Sequence, residues 1–110
     1  MTDARITFND DGVSVFTLNG DDAGVDITGS PSGTFNFGTG TSITSPSGTA
    51  FNVDGGGGNI TANVTYNGNI TQANNATMIN IHSHNVGTIT FQTGTLSATN
   101  GNGIQLDNAD

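Results

Sequence analysis

Basic residues are almost missing from this 110-residue chain: Arg5 stands alone against nine Asp, for a formal charge of −8. Nucleic-acid binding needs a cationic footprint, and none is available. Anionic membrane surfaces repel such a chain. The acidity instead fits solubility, a cation-rich exterior or contact with neutral sugars. Cysteine is absent, so no disulfide staples the fold. Trp is absent and Tyr66 is the one Tyr, which leaves little with which to stack on a sugar ring. No apolar run approaches the roughly 18 residues of a membrane-spanning helix. The opening Met1-Thr2-Asp3-Ala4-Arg5 pairs its base with an acid and leads into no continuous apolar stretch, unlike a signal peptide. Met1 is equally compatible with a start codon placed on a fragment. Charged residues make up 9% of the chain, against about 25% in an average globular protein. Helix formers are scarce, which disfavours an α or α/β fold.

What is plentiful is Thr, Asn and Gly, with 17 Gly in all. Thr and the β-branched apolar residues favour strands, and Gly and Asn favour tight turns. The length suits a single domain. Within it, one pattern recurs. Val25-Asp26-Ile27, Phe51-Asn52-Val53, Ile79-Asn80-Ile81 and Ile104-Gln105-Leu106 all read apolar-polar-apolar. Their first members are 26, 28 and 25 residues apart (51−25, 79−51, 104−79). Phe35-Asn36-Phe37, Ala62-Asn63-Val64 and Ile89-Thr90-Phe91 form a second series, and Leu18, Ile43, Ile70 and Leu96 a third.

Three short strands per repeat, each with a period of two, describe one coil of a parallel β-helix. The expected fold is all-β: a right-handed parallel β-helix of about four coils of 25–28 residues. The hand is taken from the rule for parallel crossovers. The expected lumen columns are Val25–Phe51–Ile79–Ile104, Ile27–Val53–Ile81–Leu106, Phe35–Ala62–Ile89, Phe37–Val64–Phe91 and Leu18–Ile43–Ile70–Leu96. A β-sandwich also uses short alternating strands, and Asn19-Gly20 and Asn67-Gly68 are hairpin signals. A sandwich, however, has no reason to repeat in register. Residues 1–17 fit the repeat least well and read as an irregular first coil or cap. Either Ile6-Thr7-Phe8 or Val13-Ser14-Val15 suits its first strand. Residues 18–110 read as the coils.

The spacing, the Gly/Asn/Thr surface and the stretch Gly103-Ile104-Gln105-Leu106-Asp107-Asn108-Ala109-Asp110 resemble passenger domains of bacterial autotransporter adhesins and related filamentous surface proteins. The likeness covers most of the chain but carries no specific residues across. It implies a secreted or surface-exposed bacterial protein, and the residues themselves read as a non-enzymatic structural module. Self-association through open coil ends, or further coils of a parent protein, then follows as an expectation, because an uncapped stack presents unpaired edges. The alternative is an adhesive or carbohydrate-binding β-helix with a glycan or host-surface ligand. Nucleic-acid binding and membrane insertion are not expected.

No catalytic or cofactor-binding residue is assigned. Lyases built on this fold need bases, and Arg5 stands alone. Hydrolases of the fold need acids on neighbouring coils, and Asp21-Asp22 occupy one turn. His82-Ser83-His84 places two imidazoles at i and i+2, which in an extended segment point the same way and suit Zn²⁺ or Ni²⁺. Asp54 and Asp107 follow the same apolar pair as His82, so a surface column His82–Asp54–Asp107 is expected. The plainer account is a solvated His ending a strand. Ca²⁺ is a further candidate, on Asp10-Asp11, Asp21-Asp22, Asp26 and Asp54 with its run of Gly, against the account of solvated turn acids. Thr39/Thr41 and Thr93/Thr95 invite an ice-binding ladder, but Tyr66 and Gly68 interrupt it. Asn59, Asn63, Asn69 and Asn75 open formal glycosylation sequons, which chance and side-chain stacking also produce in such a chain.

Overall fold

Alternation of apolar and Thr or Asn side chains leaves each short segment one face for a core and one for water. The computed structural model describes residues 5–8, 16–18, 22–56, 58 and 60–109. Its twelve strands are β1 (Arg5–Phe8), β2 (Phe16–Leu18), β3 (Val25–Thr28), β4 (Thr34–Phe37), β5 (Thr41–Thr44), β6 (Phe51–Asp54), β7 (Asn63–Tyr66), β8 (Asn69–Gln72), β9 (Thr77–His84), β10 (Ile89–Phe91), β11 (Leu96–Ala98) and β12 (Asn102–Ala109). They form three parallel sheets, here A, B and C. In order these are β1-β4-β7-β10, β2-β5-β8-β11 and β3-β6-β9-β12. Each strand therefore pairs with the strand three elements later, one coil further on. The result is a parallel β-solenoid of about three turns, slightly fewer than the four coils expected, because four rungs make three steps.

The register confirms three of the expected columns. Val25 pairs with Phe51, Phe51 with Ile79, and Ile79 with Ile104. Ile27, Val53, Ile81 and Leu106 line up beside them. Leu18, Ile43, Ile70 and Leu96 line up in sheet B. The two columns of sheet A need correction. Phe35 pairs with Val64 and then Ile89, and Phe37 pairs with Tyr66 and then Phe91. The steps are 29 and 25 residues (64−35, 89−64), not two equal ones. The Gly-rich connection after β6 takes up two additional residues, and Ala62 is buried at the corner rather than in the column. Of the two candidate first strands, Ile6-Thr7-Phe8 belongs to β1, which pairs with β4. Val13-Ser14-Val15 lies outside the described residues.

The lumen is filled by aromatic rings that cross coil boundaries. Phe51 meets Tyr66 at 5.4 Å and Phe91 at 5.1 Å between ring centroids, both edge to face. Phe37 completes the cluster, 6.4 Å from Phe51 and 5.6 Å from Tyr66. Tyr66 can enter an apolar lumen because its hydroxyl donates to the Asn69 carbonyl at 3.2 Å. Burial pushes its pKa up to about 12.

The corners bury polar groups with partners, as a low-dielectric interior demands. Gln72 is fully buried. Its amide donates to the Gly48 carbonyl at 2.9 Å, and its Oε1 accepts the Asn74 backbone N–H at 3.0 Å. Thr41, also buried, donates from Oγ1 to the Gly38 carbonyl at 2.6 Å. At the corner between sheets A and B, successive coils approach so closely that only glycine fits. A Cβ on Gly68 would strike the Thr41 carbonyl, and one on Gly94 the Gly68 carbonyl.

Candidate functional site

Sheet C carries the densest array of polar chemistry. Its inward positions hold the apolar columns, so its outward ones stack likewise. Asp26, Asn52, Asn80 and Gln105 share one register column. Asn80 Nδ2 donates to Asn52 Oδ1 at 2.8 Å, and Asn52 Nδ2 donates to Asp26 Oδ1 at 2.8 Å. The amides thus form a one-directional ladder that ends on a carboxylate, which only accepts.

The neighbouring column is Thr28, Asp54, His82 and Asp107. The surface column expected from the sequence is therefore present. His82 Nδ1 lies 2.7 Å from Asp54 Oδ1, and its Nε2 lies 3.8 Å from Asp107 Oδ2. Asp54 Oδ1 also accepts the Gly56 backbone N–H at 2.7 Å. The imidazole thus stands between carboxylates of the preceding and following coils. The hydrogen bond to Asp54 raises the His82 pKa; desolvation opposes it, and the charges of Asp54 and Asp107 add smaller upward contributions. The same bond, followed by that from Gly56, lowers the Asp54 pKa.

His84 does not join this column. Ser83 adopts φ of 56°, a left-handed conformation that turns the strand, so the i, i+2 rule of an extended segment fails. His84 is buried, and its Nε2–H donates to the Ala62 carbonyl at 2.9 Å. The kink recurs one coil on, where Asn108 has φ of 51° and Ala109 pairs with His84. His82 and His84 thus have separate partners, Asp54 on the surface and the Ala62 carbonyl in the interior. In the remaining column the two carboxylates lie on different nitrogens of one ring. Among the described residues, no three His, Cys, Asp or Glu side chains converge on a point that would hold an ion. Of the Ca²⁺ candidates, Asp10, Asp11 and Asp21 lie outside the described residues, Asp22 is exposed with its carbonyl accepting the Gly48 N–H, and Asp26 and Asp54 are engaged as stated.

The remaining sequence candidates resolve into coil-to-coil fastenings. Asn63 Oδ1 accepts the Thr88 backbone N–H at 3.0 Å and its hydroxyl at 3.2 Å. Asn69 Oδ1 accepts the Thr95 backbone N–H at 2.8 Å. These two sequon asparagines therefore hold the next coil. Thr93 Oγ1 donates to the Asn67 carbonyl at 2.8 Å, and Thr41 lies in the lumen, so the Thr pairs form no continuous outward ladder. Asn74, which no sequence pattern singled out, donates to the carbonyls of Ser45 and Pro46.

The second feature of sheet C is its last strand. Ile104 and Leu106 belong to lumen columns but are 57% and 64% exposed, whereas Phe51, Val53 and Ile79 in the same columns are at 0%. Among the described residues, the last rung thus carries exposed apolar side chains, bordered by the half-buried Ile89, Phe91 and Leu96.

The chain matches no family model, no curated protein and no solved structure. Its fold defines its class, a parallel β-solenoid. The likeness to autotransporter passengers is one of architecture, and no matching family supports that identity.

Proposed function

We propose that this chain is a non-enzymatic structural β-solenoid module of a secreted or surface-exposed bacterial protein, extended at its open coil end by further β-structure. Either a second chain or further coils of a parent protein would serve. The observation that carries this reading is the exposure of Ile104 and Leu106 at the end of otherwise buried columns. Covering that layer removes apolar surface from water and supplies partners to an unpaired strand edge. The carboxylates of sheet C support a structural role, since Asp26 and Asp54 are spent on holding adjacent coils. The net charge of −8, the lack of Cys and the passenger-like spacing suit an exterior setting.

Analytical ultracentrifugation across a wide concentration range tests the proposal. Self-association should grow with concentration and vanish in Leu106→Lys, which places a charge in the open layer. A wild-type chain that stays monomeric at every concentration would overturn self-association.

A second reading has its own observation. The Asp26–Asn52–Asn80 ladder is an outward row of one exposed carboxylate and two half-buried amides, a polar face suited to sugar hydroxyls. Tyr66, the one Tyr, is buried and offers no stacking platform. A glycan array separates an adhesive module from a purely structural one.

A further inference from the structure

The occupant of the open end is best identified from the two ends together, an inference that rests on the edge-pairing proposed above. A head-to-tail copy would lay its β3 on β12. The apolar residues of β3, Val25 and Ile27, are already 6% and 8% exposed, so that strand has little left to bury. Ile104 and Leu106 are 57% and 64% exposed. Within sheet C the two ends are unequal, and the apolar surface left to cover among its described residues is the same on every copy. Self-complementary burial of one patch is the condition for a two-fold interface.

The backbone allows it. Val25 N–H donates to the Ala50 carbonyl, so Val25 turns its polar groups toward the following coil. Farther along sheet C, Gly29 N–H reaches the Asp54 carbonyl and Gly55 N–H reaches the His82 carbonyl. Alternation along the registers then directs the groups of Gln105 and Asp107 back toward β9. It leaves the N–H and C=O of Ile104 and Leu106 on the open edge.

We propose that two copies of this chain join tail to tail, β12 against β12 in antiparallel register, with Gln105 on the two-fold axis. Ile104 of one copy then faces Leu106 of the other as a hydrogen-bonded pair, and both free apolar residues are covered at once. Gln105 meets its own copy, amide to amide, continuing the outward ladder of Asp26, Asn52 and Asn80. Asp107 is the one charged residue of β12, and it falls opposite Gly103, where a Cβ would meet nothing within 4 Å. No carboxylate faces another across the seam. The paired span Gly103–Asp107 stops at the Asn108 kink, which turns the strand aside. The product is a closed dimer rather than a growing fibre.

The absence of native Cys makes cross-linking a direct test. In the proposed register the two Gln105 Cα atoms lie about 4.5 Å apart, as a non-hydrogen-bonded antiparallel pair, within disulfide range. Asn102 Cα atoms would be on the order of 20 Å apart. Gln105→Cys should therefore oxidise to a covalent dimer about tenfold faster than Asn102→Cys. Adding Leu106→Lys should remove the difference, with circular dichroism confirming that each variant folds. The double variant Asp26→Cys/Gln105→Cys reports head-to-tail stacking through a ladder of multimers. Equal rates for Gln105→Cys and Asn102→Cys in a chain that still self-associates, or such a ladder, would overturn the two-fold geometry while leaving edge pairing standing. A chain that neither cross-links nor associates would overturn the two-fold geometry and self-association alike.

Discussion

His82 shows how one residue acquires a role from the coil above and the coil below. Its position after an apolar pair places it between Asp54 and Asp107, and that much follows from counting repeats. The protonated ring donates to Asp54, so its folded pKa lies above its ordinary value of 6.5. Its contribution to stability is therefore full below 6.5 and is lost as pH rises through the higher folded value. Asp54 titrates below its ordinary 3.8, so its contribution is present above 3.8 and is lost as pH falls through the lower folded value. The column holds best between the two. An NMR titration of the His82 ring should show a raised pKa that falls back toward 6.5 in Asp54→Asn. An unchanged titration in that variant would show that Asp54 is not the cause. His84, two residues on, was not legible in the same way. The expectation that both rings point outward assumes an extended Ser83, and nothing in a lone Ser announces a left-handed φ.

At the scale of the element, the strands kept their register and the turns absorbed the differences in length. The columns of sheets B and C were legible because apolar residues recur there at steps of 25 to 28 residues, as apolar-polar-apolar triplets in sheet C and as one residue per coil in sheet B. Sheet A was misread at one rung. Ala62-Asn63-Val64 alternates as well as Val64-Thr65-Tyr66, and alternation cannot choose between registers two residues apart. Tertiary packing chooses, since Tyr66 fills the gap among Phe37, Phe51 and Phe91 and Ala62 cannot. Corner glycines are a second consequence of coil spacing. Gly68→Ala drives a Cβ into the Thr41 carbonyl and should cost about 1–3 kcal/mol in urea denaturation. Gly103→Ala meets open space and should change stability far less. Equal losses in the two would separate the cost from coil contact.

Across the whole molecule, stability should be graded along the solenoid axis, because each coil is covered only by its neighbours. Residues of β6 and β9 are covered on both sides, and β12 on one. Amide hydrogen exchange should be slowest in β6 and β9 and fastest in β12, with β12 protected when the chain associates. Uniform protection along the axis would contradict this. The sequence by itself determined the class of fold, since a period of two nested in a period near 26 leaves apolar residues no other common interior. It also determined the sign of the surface and the column around His82, which depend only on charge and count. Tertiary structure alone decided that Tyr66 lies inside, that His84 turns inward, and that the two ends of the stack differ. Those outcomes rest on space filling, on a single backbone angle and on how far each end strand is covered, and none of the three is a property of residues taken in order along a chain.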